Sequence, residues 1–360
     1  MHLDDLGLLD DQRRAIDVAV QNVRTQYDPL FVCLGGSLAV GLGNATSDID
    51  LIAVVPGSAT TPRFADKYGS EDLTVDVEIY SLDELRSISA ELLSRRICSD
   101  DYRWLFQDRK TIRDFGRIHS GVPMVGHDEF EGWRKSVSER RLRQIHLAYY
   151  GAEAHKFARD AYGAAVKGDT GTAWATSQHT LTLATEMLLT AVEGSYLAER
   201  EKFTITRLVG SGLGDAVTAG ILERLNPPGG YQPEHALTHV RDRIELSERL
   251  TGIAGLFSWD QELSATLATD LLMLPPQLDC GWEVLLPLDG AVALGGRQAG
   301  EMSRATALVW LLAHLYPAHE IAARFASLAG IDSPRFVTES LRQITATGFI
   351  PAGSGRCNRT

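Results

Sequence analysis

Asp48 and Asp50 stand two residues apart, directly ahead of the apolar run Leu51–Val55. At the head of a strand, that spacing turns both side chains to one side. Two carboxylates this close repel each other unless a cation lies between them. Oxygen-only ligation favours Mg²⁺. Upstream, the hydrophobic run Leu30–Leu34 enters Gly35-Gly36-Ser37. The glycines allow a tight turn and close approach of backbone to ligand. Ser37 is placed to cap a short helix over Leu38–Gly41, whose free N–H groups would face an anion. A phosphate cradle beside paired carboxylates is equipment for phosphoryl or nucleotidyl transfer.

Residues 74–80 read TVDVEIY, in which Asp76 and Glu78 alternate with Val75, Val77 and Ile79. Both acids therefore share one face while the aliphatics face a core. Gly36-Ser37, ten intervening residues and Asp48-x-Asp50 resemble the signature of the polymerase-β-like nucleotidyltransferase superfamily. The resemblance implies a pair of Mg²⁺ ions on Asp48 and Asp50, with Gly36 and Ser37 against the triphosphate. It places Asp76 best as the third metal-binding and catalytic acid, serving the second metal, the acceptor hydroxyl, or both. Glu78 remains the alternative. Val40 stands where many members carry Arg or another polar residue, so triphosphate contacts from that turn would differ. The implied substrate is an NTP, with ATP the expected donor.

These residues need a sheet with covering helices. Residues 1–100 read as the catalytic domain. An opening helix over Asp11–Tyr27 carries Ile16, Val18, Ala19 and Val23, and a helix over Leu82–Leu93 carries Leu85, Ile88 and Leu92. Residues 101–274 read as a helical bundle, with helices expected at 130–166, 172–197, 199–208, 214–225, 233–250 and 258–273. Breaks are expected at Gly121–Gly126, Lys167–Gly171, Ser211–Gly214 and Asn226–Gly230. The stretch TEMLLTAVEGSYLAEREKFTITRL resembles the place where small-molecule nucleotidyltransferases present a Lys and an aromatic near the nucleotide. On that resemblance Lys202 would contact the triphosphate, and Tyr196 and Phe203 would wall the pocket.

Pro275-Pro276 marks another boundary. Trp282–Leu288 and Ala291–Leu294 read as a hairpin around Asp289-Gly290. Helices over Ser303–Leu315, Ala318–Ala329 and Ser333–Thr347 follow, then a strand at Gly348-Phe349-Ile350. Residues 278–352 thus have a winged-helix layout. The Ala305–Trp310 stretch, the register of Ile321 and Leu341, and the closing Gly-Phe-Ile resemble the PqqD-like domain that recognises leader peptides. Met302 stands where relatives often have Asn. Such domains take a peptide as an added strand. A DNA-reading helix would want more cations than Arg335 and Arg342, which face Asp332 and Glu339 in sequence.

Composition narrows the classes. A net charge of -12 argues against a broad nucleic-acid footprint. The basic run Arg134, Lys135, Arg140, Arg141 and Arg143 is interleaved with Glu131 and Glu139 and reads as a solvated helix face. Cys33, Cys98, Cys280 and Cys357 show no paired spacing, so neither a disulfide framework nor a zinc site is expected. His314 and His319 flank Pro317 at poor spacing for a helical metal site. The acidic, polar start resembles no signal peptide, and Ala305–Leu315 is too short to span a bilayer. A cytoplasmic enzyme without a membrane partner is expected.

The overall expectation is an α+β protein: a mixed nucleotidyltransferase sheet with helices, a helical bundle and a C-terminal winged helix. Its leading function is transfer of NMP to a hydroxyl of a peptide or protein, as in modification of ribosomally made peptides. The alternatives are an antibiotic-modifying nucleotidyltransferase of aminoglycoside type and a non-catalytic peptide-binding scaffold. Base preference, acceptor and oligomeric state are not encoded in any motif.

Overall fold

A computed structural model of the chain describes residues 6–57, 66–70, 73–98, 101–193, 203–275, 283–295 and 300–347. It is an α+β protein whose described residues fall into two compact units. One comprises those of Met1–Arg95 and Gln107–Leu142, the other those of Arg96–Phe106, Arg143–Ser195 and Arg200–Thr360.

The first unit is built on a mixed five-stranded sheet of order β3-β4-β2-β1-β5. Its strands are β1 (Phe31–Gly35), β2 (Ile49–Val55), β3 (Asp66–Ser70), β4 (Leu73–Ser81) and β5 (Val122–Val125). Helices α1 (Asp10–Tyr27), α2 (Gly36–Ala39), α3 (Leu82–Ser94), α5 (Arg109–His119) and α6 (His127–Ser136) accompany it, while α4 (Trp104–Gln107) lies between α3 and α5 in sequence. Strand alternation sorts the side chains by face. Ile49, Leu51, Ala53 and Val55 of β2 and Val75, Val77 and Ile79 of β4 form one core with Ile16, Ala19, Val20 and Val23 of α1. Val18, expected in that stripe, is exposed, and Val20 takes its place. The opposite face carries Asp50, Asp76 and Glu78. On this face Phe31 meets Phe130 at 5.4 Å, and Trp133 meets Phe115 at 5.7 Å. These rings pack α5 and α6 near β1.

The unit therefore runs past residue 100, where the catalytic domain was expected to end. β5 lies inside the expected break at Gly121–Gly126 and pairs antiparallel with β1. Pro123 is tolerated because β5 is an edge strand.

The second unit holds α7 (Glu139–Val166), α8 (Thr170–Glu193), α9 (Thr204–Gly210), α10 (Asp215–Leu225), α11 (Ala236–Phe257) and α12 (Ala265–Met273). The helix expected over 130–166 is two helices. Val137 is extended, and the Ser138 hydroxyl accepts from Arg141 N–H at the start of α7. Arg143 lies on no solvated face: it is buried and ion-paired to Glu262 at 3.4 Å.

A second sheet, β6-β7-β8, follows: β6 (Val284–Pro287), β7 (Ala291–Gly295) and β8 (Gly300–Ser303), all antiparallel neighbours. Then come α13 (Arg304–Leu315), α14 (Ala318–Ala329) and α15 (Pro334–Ala346). Hairpin and helices stand where expected; β8 is an additional strand, and Gly348–Ile350 lies outside the described residues. The segment belongs to the same compact unit as the bundle. β6 is wholly buried against α11, and Leu285 N–H donates to Thr251 Oγ1 at 3.2 Å. A Cβ on Gly255 of α11 would stand 2.6 Å from Leu285 Cδ2, so a larger residue there would require the Leu285 side chain to shift. Among the described residues no helix is long and apolar enough to cross a membrane.

Candidate active site

β1 turns directly into α2. Gly36 opens that helix at φ +67°, a left-handed conformation that disfavours any residue with a Cβ. Ser37 does not cap the helix as expected. The helix starts two residues earlier, with Gly35 in the cap position, so Ser37 is buried within it and its carbonyl accepts from Leu42 N–H. The loop onward is tied by Asn44, whose Oδ1 accepts from Thr46 N–H at 3.0 Å and from Ser47 Oγ at 3.2 Å. Gln12 of α1 donates to Asn44 carbonyl at 3.1 Å and anchors this loop to the first helix. The loop delivers the chain into β2.

Asp48 precedes β2 and is exposed. Asp50 is the second residue of the strand, opposite Gly35 on β1 and opposite Asp76 on the parallel strand β4. Glu78 follows on β4, facing the same side. Its Oε2 accepts from Tyr80 hydroxyl at 3.0 Å. Asp76 Oδ1 is buried and has no hydrogen-bond partner among the described residues.

Arg117, from the last turn of α5, enters this acidic face. Its Nη2 lies 2.8 Å from Asp50 Oδ1, its Nη1 3.3 Å from Glu78 Oε1 and 3.8 Å from Asp114 Oδ1. Burial works against its charge, but Asp50, Glu78 and Asp114 outweigh burial and raise its pKa above the ordinary arginine value. Beneath it, burial pushes the Cys33 thiol up to about 12 against a weaker opposing pull from Arg117, so this cysteine is an inert core residue.

The expected residues are thus brought together in part. Asp50 and Asp76 face each other across neighbouring strands, Glu78 is engaged by Arg117 and Tyr80, and Asp48 sits at the strand entrance. Among the described residues no three His, Cys, Asp or Glu side chains close into a metal-binding set; the acids form an open pair with a third at its margin. Their chemistry suits a hard divalent cation: the donors are carboxylate oxygens, and one of them is buried without a partner. Tyr196 and Lys202 lie outside the described residues, and Phe203 is half-buried directly before α9. Arg117 carries no motif signal; its role depends on α5 docking against the sheet.

No model of a known protein family matches the chain, and no curated protein matches it. Among solved structures, the chain is similar to a nucleotidyltransferase-like protein from Exiguobacterium sibiricum. That likeness covers 67% of this chain and 77% of the other, at 12% identity and a TM-score of 0.38.

Proposed function

We propose that the carboxylate face of the first unit is the active site of a Mg²⁺-dependent nucleotidyltransferase that moves NMP from an NTP, ATP by expectation, to a hydroxyl. The observation that carries this reading is the register pair Asp50–Asp76, with a buried Asp76 oxygen left without a partner. A buried carboxylate oxygen without a hydrogen-bond partner is costly in any structure where it has no work to do. Asp48, Asp50 and Asp76 would hold the metal. Bound Mg²⁺ would neutralise triphosphate charge and lower the pKa of the acceptor hydroxyl.

The chain's own residues do the rest. Arg117 fixes Asp50 and Glu78 in place through charge-assisted bonds. Asp76, with an oxygen to spare, is the group to take the hydroxyl proton. Glu78 is spoken for by Arg117 and Tyr80 and acts as a positioning residue. The Gly36-Ser37 turn offers backbone N–H groups to phosphate oxygens.

For the acceptor, the reading is a peptide. The hairpin and three helices on which the PqqD-like resemblance rests are present, β8 adds a strand to them, and among the described residues the outer edge of β8 pairs with no strand. Such an edge can take an extended peptide through backbone hydrogen bonds. The acidic balance of the whole chain, -12, favours the second reading, a cationic antibiotic as acceptor.

The test incubates the full chain with each α-labelled NTP and Mg²⁺, together with either leader peptides or aminoglycosides. Label on a peptide supports the first acceptor and label on the antibiotic the second. Asp50→Asn should lower transfer by on the order of 10³-fold. Undiminished transfer in that variant would overturn the site.

A further inference from the structure

The second unit contains a cavity of about 300 Å³ built from residues unrelated to the carboxylate face. One wall is a single face of α7. Ala152, His155, Lys156, Arg159 and Asp160 fall at the spacings that align side chains along a helix. The other wall is the turn into α4, which supplies Tyr102 and Phe106, two rings in edge-to-face contact at 6.2 Å. The cavity therefore combines an aromatic wall with two cations against one carboxylate.

His155 is the group that marks this cavity as more than a surface dent. It is 8% exposed and lines the cavity, and its Nδ1 has no hydrogen-bond partner among the described residues. Burial first, and the charge of Arg159 second, lower its pKa to about 4, so the ring is neutral at pH 7. A buried neutral imidazole with an unused nitrogen costs free energy unless a ligand or water completes it. Lys156 rests over the Phe157 ring at 5.1 Å from its centroid, which leaves its ammonium at the rim. Arg159 is exposed at the same rim and forms no ion pair with a described residue, although Asp160 is its neighbour in sequence.

We propose that this cavity is a second ligand site and that it takes an aromatic compound carrying a phosphate or carboxylate. The ring would lie against Tyr102 and Phe106 beside the buried His155, and the anion would meet Arg159 and Lys156. The volume sits at the lower end of the range for small-molecule sites, which favours one ring system over a long chain. The proposal does not depend on nucleotidyl transfer: binding here needs neither Mg²⁺ nor Asp50.

The experiment is calorimetric titration of the full chain, without metal, using phenyl phosphate, AMP, inorganic phosphate and phenol as separate probes. Saturable one-site binding of phenyl phosphate or AMP is expected, at least about tenfold tighter than either fragment alone, since each charged hydrogen bond contributes on that scale. Whichever of the two wins in competition identifies the source, a single-ring acid or a nucleotide. Arg159→Glu and His155→Leu should each weaken binding by about tenfold or more, while Asp50→Asn leaves it unchanged. Circular dichroism reports folding of each variant, and the rim variant Lys156→Gln replaces any that fails to fold. No saturable binding by any aromatic anion, or binding that these variants leave intact, would overturn the proposal.

Discussion

Two buried arginines, one in each unit, are set against carboxylates in different ways. In the second unit, Arg207 of α9 pairs with buried Glu186 and reaches Glu193 at 2.8 Å. Glu186 is satisfied on both oxygens: Thr204 hydroxyl donates to Oε1 at 2.6 Å, and Oε2 receives Arg207 and Tyr150 hydroxyl. In the first unit, Arg117 satisfies Asp50 and Glu78 but leaves a buried oxygen of Asp76 without a described partner and Asp48 exposed. A closed network holds helices together. An open one keeps bonding capacity in reserve for something that arrives later. The difference separates a structural ion cluster from a candidate active site where residue types alone do not, since both clusters consist of arginine and carboxylates.

The comparison can be broken by removing one member from each cluster. Glu186→Ala removes the more buried of Arg207's two carboxylate partners and leaves Glu193, and chemical denaturation should show a loss of up to about 3–5 kcal/mol. A loss below about 1 kcal/mol, the scale of an exposed pair, would mean the closed cluster is not a structural element.

Arg117→Ala should also destabilise, by less, because Asp50 and Glu78 are partly exposed. Here Mg²⁺ should restore stability by standing in for the lost guanidinium, about 1.4 kcal/mol at tenfold over its Kd. Arg207→Ala should show no such rescue. Equal responses to Mg²⁺ in the two variants would erase the distinction.

Asp76→Asn sharpens the contrast in the other direction. It removes the charge of a half-buried carboxylate with one unsatisfied oxygen, so metal-free stability should be unchanged or rise by up to about 1 kcal/mol, while transfer fails. A clear drop in Tm would place Asp76 among the structural residues.

The smallest effect concerns a buried pair of the second unit. His314 of α13 lies 3.3 Å from Glu248 of α11. Burial opposes its charge, but Glu248 prevails and raises its pKa above 6.5. The raised value makes this contribution complete below pH 6.5 and lost as pH climbs through the folded-state pKa. The stability advantage of wild type over His314→Gln should shrink across that window, by at most about 1.4 kcal/mol per pH unit. A difference that grows with pH would reverse the assignment.

Much of this was legible in the chain. The alternation of Asp76 and Glu78 with Val75, Val77 and Ile79 placed acids and core on opposite faces, because strand period is set by backbone geometry alone. The Asp289-Gly290 hairpin was likewise marked by its turn dipeptide, and the three following helices by their apolar pattern. Three features were not. Arg117 reaches its partners only after α5 docks, so its role belongs to tertiary packing. β5 was obscured by Gly121, Pro123 and Gly126, which read as a break yet suit an edge strand. β8, with the sequence GEMS, is too short and polar to carry a periodic signal. The choice between Asp76 and Glu78, open in the sequence, turns on hydrogen-bond partners that only the fold supplies.

The claim that the Asp50–Asp76 pair is a metal-binding nucleotide site is tested most directly by Mn²⁺ in place of Mg²⁺. Electron paramagnetic resonance would follow free Mn²⁺ during titration of the full chain in the presence of a non-hydrolysable NTP analogue. Saturable Mn²⁺ binding is expected that depends on the analogue, is lost in Asp50→Asn and is weakened in Asp76→Asn, but is retained in Glu186→Gln. Binding that survives both aspartate substitutions, or no binding at all, would contradict it.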